Sequence, residues 1–282
     1  MPHEIEKLAV VYLAGPRGWV DRANGKDWPR LDCLEASLKL LAKFAPPFPV
    51  VIFHEDLLDE DKRRLEKAVG RAIRYEPISF KGLESEYEGT NSYGGRVSSY
   101  NYRMMCRFFC GVMQSHPALS PFSHYLRLDD DSYLLRPVPE DAVERIFLSD
   151  YTYIGTCNDP RPDIKAAALQ FLAARGIPSS PPKEQDVPYN NYHTASLRLW
   201  KNPIVSGFMS TAQQECLRNS WNDAPVHLEL IRQFCPALGY VVHREKEVSY
   251  RHNQDCQHNG LPHTDYCNDG TGGSFPWGHP VI

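Results

Sequence analysis

Residues 8–78 alternate short apolar runs with helical patterns, and this alternation restricts the fold more than any other feature. Short continuous apolar runs predict strands buried on both faces, and apolar residues that recur every three or four positions predict helices. In order, the pattern predicts a strand at residues 8–14, a helix at 31–44, a strand at 49–53, a helix at 57–69 and a strand at 72–78. This β-α-β-α-β order indicates an α/β fold, a Rossmann-type open sheet with helices on both faces.

The loop at residues 14–18 follows the first predicted strand. Ligands of open α/β sheets bind beyond the carboxyl ends of the strands, so this loop is a candidate nucleotide site. Arg17 within it is a candidate donor-binding residue, and a solvated loop arginine is the equally weighted alternative. The sequence has no Gly-x-Gly-x-x-Gly and no Gly-Lys-Ser/Thr phosphate loop, which disfavours dinucleotide-binding and phosphate-loop enzymes.

The composition fits a soluble globular enzyme. Among 282 residues, 42% are apolar and 23% are charged. The net charge of -4 argues against a nucleic-acid partner and against an anionic membrane surface. The first apolar stretch, residues 8–14, is too short to span a membrane. We therefore expect a soluble chain, in the cytoplasm as given or in the Golgi lumen if an anchor has been removed.

The eight cysteines are scattered along the chain. Cys106 and Cys110 lie four residues apart on an apolar helical pattern, which predicts buried thiols. Cys256 and Cys267 lie in a loop-rich tail and are the best candidates for a disulfide bond. No clustered array of four Cys and His ligands predicts a structural zinc site.

Three consecutive carboxylates, Asp129, Asp130 and Asp131, follow a short predicted strand at residues 125–128. Three adjacent negative charges repel one another unless a cation or solvent compensates them. A divalent metal bound to a diphosphate would do so, and it would stabilise a departing nucleotide. The alternative is a helix N-cap or an acidic turn, which Asp also favours. We weigh the metal site, with Asp129 and Asp131 as ligands and Asp130 facing the donor, about two to one over the cap.

A second candidate site lies at residues 221–227, which read Trp-Asn-Asp-Ala-Pro-Val-His. His227 follows a turn begun by Pro225, so its imidazole could point into a cleft. An imidazole ligand suits manganese better than magnesium, which prefers oxygen. Taken alone, a single histidine is more often an ordinary core or surface residue.

Two blocks of the sequence resemble glycosyltransferase family 15, the fungal α-1,2-mannosyltransferases. Residues 102–108, Tyr-Arg-Met-Met-Cys-Arg-Phe, are similar to the family's Tyr-Arg-x-Met-Cys-Arg-Phe, and residues 221–227 are similar to its Trp-Gly-Asp-Ala-Pro-Val-His. Tyr250-Arg251-His252 is similar to its late Gly-Tyr-x-His, where His252 either contacts the diphosphate or closes the tail onto the core. The resemblance implies a nucleotide-diphospho-sugar transferase fold of the GT-A type, manganese, and GDP-mannose as donor.

The resemblance also implies roles for individual residues. Asp129 matches the family's metal-binding glutamate, and His227 matches its metal-binding histidine. Tyr102 matches a tyrosine at the nucleotide-sugar site, and Asp223 matches an acidic residue beside the acceptor. Arg107 matches an arginine that either contacts the donor or forms a buried ion pair.

The sequence departs from the family at its proposed nucleophile. The family's Trp-Ser-Asn-Phe-Glu-Ile-Ala aligns with residues 189–195, Tyr-Asn-Asn-Tyr-His-Thr-Ala, which places His193 on the glutamate. A histidine is a poor substitute for a carboxylate at an anomeric carbon. Three interpretations remain: retention guided by the diphosphate oxygen, inversion with His193 or Asp223 as base, or a shifted alignment.

These observations predict one glycosyltransferase domain over residues 1–282, with a nucleotide-sugar-binding half at 1–135 and an acceptor-binding half at 136–282. The predicted enzyme transfers a hexose or pentose, mannose by resemblance, from GDP-mannose or a UDP-sugar to an oligosaccharide or glycoprotein. The change from Glu to Asp at the metal position leaves a UDP-sugar donor, another sugar or inverting stereochemistry open. A nucleotide-sugar hydrolase and a non-catalytic binding protein are the remaining alternatives.

Overall fold

The computed structural model describes residues 5–17, 20–23, 26–89, 99–157, 161–179, 187–252, 257–258, 261–262 and 267–268. Its strands are β1 (Leu8–Leu13), β2 (Val20–Ala23), β3 (Lys26–Pro29), β4 (Val50–His54), β5 (Arg74–Pro77), β6 (His124–Leu128), β7 (Ser132–Leu134), β8 (Tyr151–Cys157), β9 (Val187–Ser196), β10 (Val242–Arg244), β11 (Tyr250–His252), β12 (Gln257–His258), β13 (Leu261–Pro262) and β14 (Cys267–Asn268). Its α-helices are α1 (Arg30–Phe44), α2 (Asp59–Val69), α3 (Tyr100–Arg107), α4 (Glu140–Leu148), α5 (Pro162–Ala173), α6 (Leu197–Lys201), α7 (Pro203–Arg218), α8 (Asp223–Glu229) and α9 (Cys235–Leu238).

A seven-stranded sheet with the order β10-β8-β9-β6-β1-β4-β5 forms the centre of the fold. The four strands β6, β1, β4 and β5 are parallel neighbours, as the β-α-β-α-β pattern predicts. A three-stranded sheet, β14-β11-β7, lies beside it and brings β11 back against the segment that follows β6. The predicted mixed α/β fold is confirmed.

Strand β1 is buried on both faces, which explains its continuous apolar sequence. Leu8, Val10 and Tyr12 belong to one hydrophobic core, which α1 and α2 also line. Ala9 and Val11 belong to the other core, which includes residues of α7. The alternation of side chains along a strand thus sends successive residues to opposite layers of helices.

Strand β9 is the main difference from the predicted topology. It lies between β6 and β8 and runs antiparallel to both. Its sequence contains Asn190, Asn191 and His193 at buried positions, so it lacks the apolar pattern of a central strand. These polar side chains can be buried because each of them has hydrogen-bond partners in or near the candidate site. The local sequence pattern alone does not reveal such partners.

The motif Met-Cys-Arg-Phe, at residues 105–108, spans the end of a helix. Helix α3 ends at Arg107, and a π-helical turn over Phe108–Val112 follows it directly. Within this turn Gly111 has φ of 123°, a backbone conformation that favours glycine. A Cβ atom there would lie 3.3 Å from Cβ of Met209 in α7, so the turn also packs closely against that helix.

The two predictions about cysteines have different outcomes. Cys106 and Cys110 are buried free thiols, as predicted. The predicted disulfide bond between Cys256 and Cys267 falls outside the residues whose side chains the structure describes. Within the described ranges, no helix combines the length and the apolar character that are needed to cross a bilayer.

Candidate metal and nucleotide-sugar site

The acidic triplet lies in a tight turn directly after β6, at the carboxyl end of the strand. The N–H of Ser132 donates to the carbonyl of Asp129 at 3.0 Å, and the N–H of Asp129 donates to Oγ of Ser132 at 3.1 Å. The turn holds the three carboxylates in different directions, so that each has its own partners. The predicted location beyond the strand end is confirmed by this geometry.

Asp129 and Asp131 form a compact group with His252. Their closest ligand atoms and the imidazole nitrogen all lie within 4.8 Å of one another, and no other such group of three exists among the described residues. Nε2 of His252 lies 3.0 Å from Oδ1 of Asp131 and 3.7 Å from Oδ2 of Asp129. Two carboxylates and one imidazole are a ligand set that accepts manganese.

The pairing of β11 with β7 brings His252 to the acidic turn. His252 is opposite Ser132 in this antiparallel register, one residue from Asp131. Nδ2 of Asn191, from β9, donates to Oδ2 of Asp129 at 3.2 Å and lies 2.8 Å from Nε2 of His252. Strands from three parts of the chain therefore hold the metal-ligand group in place.

Electrostatics within the group favours a charged pair. Burial lowers the pKa of His252, but the carboxylate of Asp131 outweighs it and the net shift is upward. Burial raises the pKa of Asp131, but His252 and Arg30 outweigh it and the net shift is downward. Asp131 is thus a carboxylate whose negative charge already attracts cations.

Asp130 points away from this group and organises the loop after β1. Its carboxylate accepts from Nε of Arg30 at 3.0 Å and from the N–H of Gly15 at 3.1 Å. Arg30, at the start of α1, also donates to Oδ2 of Asp131 at 2.9 Å. Burial raises the pKa of Asp130, which Arg30 offsets only in part. Asp130, predicted from the sequence to face the donor, borders the cavity described next.

A cavity of about 330 Å³ opens beside the acidic turn. It lies beyond the carboxyl ends of β1 and β4, and Asp129 borders it. Tyr102, which is 41% exposed, lines it together with the apolar side chains of Leu13, Phe80 and Met105. A largely apolar cavity with a few polar groups at one end is typical of a small-molecule site.

Arg127 connects the metal-ligand group to Asp223. Its Nε donates to Oδ1 of Asp129 at 3.0 Å and its Nη1 donates to Oδ2 of Asp223 at 2.7 Å. Asp223, the first residue of α8, also accepts from Nδ2 of Asn190 at 2.8 Å. Burial raises the pKa of Asp223, but Arg127 and His227 outweigh it, so the pKa is lowered and the group is a carboxylate. Sequence reasoning missed Arg127, although a charged residue inside a buried strand is a recognisable signal.

His227, predicted from the sequence as a metal ligand, does not lie in the group of Asp129, Asp131 and His252. It is fully buried, its Nδ1 lies 2.8 Å from the hydroxyl of Tyr151, and its Nε2 lies 3.1 Å from the carbonyl of Phe109. A carbonyl only accepts, so Nε2 donates and Nδ1 accepts from Tyr151. Both nitrogens are therefore used inside the core, one helical turn beyond Asp223.

His193, named from the sequence as an alternative catalytic base, also lies inside the core. It has no exposed surface, and its ring stacks on Tyr151 at 5.2 Å. Its Nδ1 donates to the carbonyl of Asn190 at 2.8 Å, and its Nε2 lies 3.0 Å from the hydroxyl of Tyr125. Burial lowers the pKa of His193 well below its ordinary value, so the ring is neutral. It supports the segment that carries Asn190 and does not face the cavity.

The two arginines predicted to bind the donor also lie elsewhere. Arg17 donates to Glu60 at 2.7 Å and lies 3.2 Å from Asp61, so its side chain turns toward α2. Arg107 ends α3 and is not among the residues that line the cavity. Arg103, one turn earlier, is fully buried and donates to the carbonyl of Ser220 at 2.7 Å, just before α8. Arg103 is therefore the arginine of α3 that supports the fold.

The mostly parallel sheet with an acidic turn and a cavity at its strand ends is a GT-A-type fold, the class that contains nucleotide-diphospho-sugar transferases. Among solved structures, core-mannan synthase A from Aspergillus fumigatus in its Mn/GDP form matches with a TM-score of 0.70 and 18% identity, over 97% of this chain and 81% of that one. The mannosyltransferase Ktr4p from S. cerevisiae in complex with GDP matches with a TM-score of 0.71 and 15% identity, over 98% of this chain and 79% of that one. At these identities the likeness shows a shared fold.

The sequence comparison adds a shorter match. O-glycoside alpha-1,2-mannosyltransferase homolog 2 from Schizosaccharomyces pombe is 39% identical over 61 residues. The match covers 22% of this chain and 16% of that protein, so this chain aligns with only a small part of its relative. No protein-family model matches the chain. Together the structural and sequence matches confirm the resemblance to fungal mannosyltransferases that the motifs indicate.

Proposed function

We propose that the protein is a manganese-dependent glycosyltransferase that transfers mannose from GDP-mannose to a hydroxyl group of a glycan. The observation that carries this proposal is the convergence of Asp129, Asp131 and His252 beside a 330 Å³ cavity at the strand ends. The shared fold with mannosyltransferases that were solved with GDP supports the donor.

The residues present fit a divalent cation. Asp129 and Asp131 would supply carboxylate oxygens and His252 an imidazole nitrogen, which is a mixed set that manganese accepts. A bound manganese ion would hold the donor diphosphate and stabilise its charge as the sugar departs. Asn191 orients Asp129 and His252, since it contacts both.

The donor and the acceptor are proposed to contact different halves of the chain. The residues that line the cavity all lie between Leu13 and Asp130, which supports residues 1–135 as the donor-binding half. Asp223 comes from the second half and contacts the opposite side of the Arg127 guanidinium from Asp129. We assign its carboxylate to holding a hydroxyl of the acceptor, which supports residues 136–282 as the acceptor-binding half.

The surroundings of His193 and Asp223 favour transfer with retention. His193 is buried with both nitrogens bonded, so it is neither nucleophile nor base in this arrangement. The lowered pKa of Asp223 makes its carboxylate a weak base. The acceptor proton would then pass to an oxygen of the departing diphosphate. The anomeric configuration of the product, read by NMR, distinguishes this route from inversion.

The full chain should be incubated with GDP-mannose, Mn²⁺ and methyl α-mannoside, and the product followed by mass spectrometry. We expect a product one hexose heavier, and we expect Asp129→Ala to abolish it while the protein stays folded by circular dichroism. Asp59→Asn is the matched control, because Asp59 is a carboxylate that is 86% exposed at the start of α2. Unchanged activity in Asp129→Ala would refute the site, and GDP release that is independent of the acceptor would indicate a hydrolase.

A further inference from the structure

Glu55 is a further charged residue that lines the cavity, and the proposed catalytic group does not use it. Glu55 follows β4, whereas Asp129 follows β6, and β1 lies between these two strands. Two strand spacings separate the two positions by about 10 Å. This separation is comparable to the length of a nucleoside diphosphate from its terminal phosphate to its base. Under the proposed function, on which this inference rests, the base of the donor therefore lies near Glu55.

A backbone hydrogen bond fixes the carboxylate of Glu55 at the cavity wall. Oε1 accepts from the N–H of Phe80, which follows β5, at 2.9 Å. Among the described residues, the N–H of Phe80 is the one hydrogen-bond partner of the Glu55 side chain. Oε2 and a second lone pair of Oε1 are therefore available to a ligand. The anchor makes the carboxylate a preoriented pair of acceptors.

Apolar side chains line the same cavity as this exposed carboxylate. Phe80 and Met105 are half-buried and line the cavity with Leu13. The Phe80 ring is itself held by an edge contact with Phe108, at 6.1 Å between centroids. Such surfaces accept the faces of a flat aromatic base, and the carboxylate accepts hydrogen bonds from its edge.

The chemistry of two adjacent acceptors selects among the bases. Guanine presents N1–H and the N2 amino group side by side, which matches both oxygens of a carboxylate. Uracil presents one N–H between two carbonyl oxygens, which the carboxylate repels. Adenine places a ring acceptor next to its amino group. We propose that Glu55 recognises guanine through N1–H and N2–H and thereby sets the nucleotide specificity of the donor site.

The test compares GDP, inosine diphosphate and UDP by titration calorimetry with the full chain and Mn²⁺. Inosine diphosphate keeps N1–H but lacks the N2 amino group, so it reports one of the two bonds. We expect the wild type to bind GDP about tenfold or more tightly than inosine diphosphate or UDP. Glu55→Gln should weaken GDP binding about tenfold, reduce the preference over inosine diphosphate and leave UDP unchanged.

The controls separate this inference from the proposed function. Asp59→Asn, which removes an exposed carboxylate outside the cavity, should bind all three nucleotides as the wild type does. If Glu55→Gln retains the wild-type preference for GDP, or the wild type binds UDP as tightly as GDP, the role of Glu55 is refuted while the donor site stands. If the wild type binds no nucleoside diphosphate with Mn²⁺, the proposed function itself fails.

Discussion

Nη1 of Arg127 donates to Oδ2 of Asp223 at 2.7 Å, and the same guanidinium bonds to Asp129. Its carbon also lies 3.3 Å from the centroid of the Phe109 ring. Burial lowers the pKa of Arg127, but Asp129 and Asp223 outweigh it and raise the pKa above its ordinary value. One buried cation thus balances the carboxylate proposed to bind the metal and the carboxylate proposed to hold the acceptor.

Arg127→Gln is expected to destabilise the protein by about 3–5 kcal/mol, because it leaves the buried carboxylate of Asp223 and the half-buried carboxylate of Asp129 without their counter-charge. Urea denaturation measures the free energy of unfolding. Arg64→Gln is the control, since Arg64 is 41% exposed and its pairs with Asp32 and Glu35 lie at the surface. That change should cost about 1 kcal/mol or less. Equal costs for the two variants would contradict the role of Arg127.

Substitution of the two histidines should distinguish the metal ligand from the core residue. His252→Gln is expected to weaken Mn²⁺ binding in the presence of GDP by about tenfold or more, because it removes the only nitrogen ligand of the group. The signal of free Mn²⁺ in electron paramagnetic resonance measures the affinity.

His227→Gln tests the earlier assignment in the same assay. A glutamine amide can donate to the carbonyl of Phe109 and accept from the hydroxyl of Tyr151, so the variant keeps both types of hydrogen bond that His227 makes in the core. We expect unchanged Mn²⁺ affinity in the folded protein. A loss confined to His227→Gln, with His252→Gln unaffected, would restore the assignment from the sequence.

Much of the fold was predictable because its signals are local. The apolar run of β1 and the helical spacing of α1 follow from burial on both faces or on one face of each element. Strand β9 was not predictable in this way, because Asn190, Asn191 and His193 are buried by partners on other elements.

The candidate site was predictable in position more than in side-chain direction. Asp129 and Asp131 lie beyond the end of β6, because a strand terminus fixes their position. The ring of His227 was not predictable, because a matched motif gives the position of a residue and not the direction of its side chain. His252 depends on the pairing of β11 with β7, a long-range contact that no local pattern contains.

Gly111→Ala should destabilise the protein more than Gly70→Ala. Both glycines have positive φ, 123° and 70°, so alanine strains the backbone at either position. A Cβ at Gly70 has nothing within 4 Å, whereas a Cβ at Gly111 would lie 2.9 Å from Nε2 of Gln213 and 3.3 Å from Cβ of Met209. We expect about 1 kcal/mol at Gly70 and at least twice that at Gly111, measured by urea denaturation. Equal costs would show that α7 yields to the added methyl group.

Acid should destabilise the protein through the buried imidazoles of His193 and His227. Burial lowers the pKa of His227 from 6.5 to about 4, despite the nearby charge of Asp223, and burial also lowers the pKa of His193 well below its ordinary value. Below pH 6.5 the unfolded chain binds protons at these histidines and the folded chain does not, so the free energy of unfolding falls as the pH falls.

The expected loss from His227 is about 1.4 kcal/mol per pH unit between pH 6.5 and pH 4. Carboxylates also titrate in this range, so the measurement is the difference between the wild type and His227→Gln at each pH. The variant lacks one of the two titrations, and the difference in stability should narrow steadily as the pH falls. A constant difference for His227→Gln would mean that His227 is protonated in the folded protein, with its hydrogen bond from Tyr151 reversed.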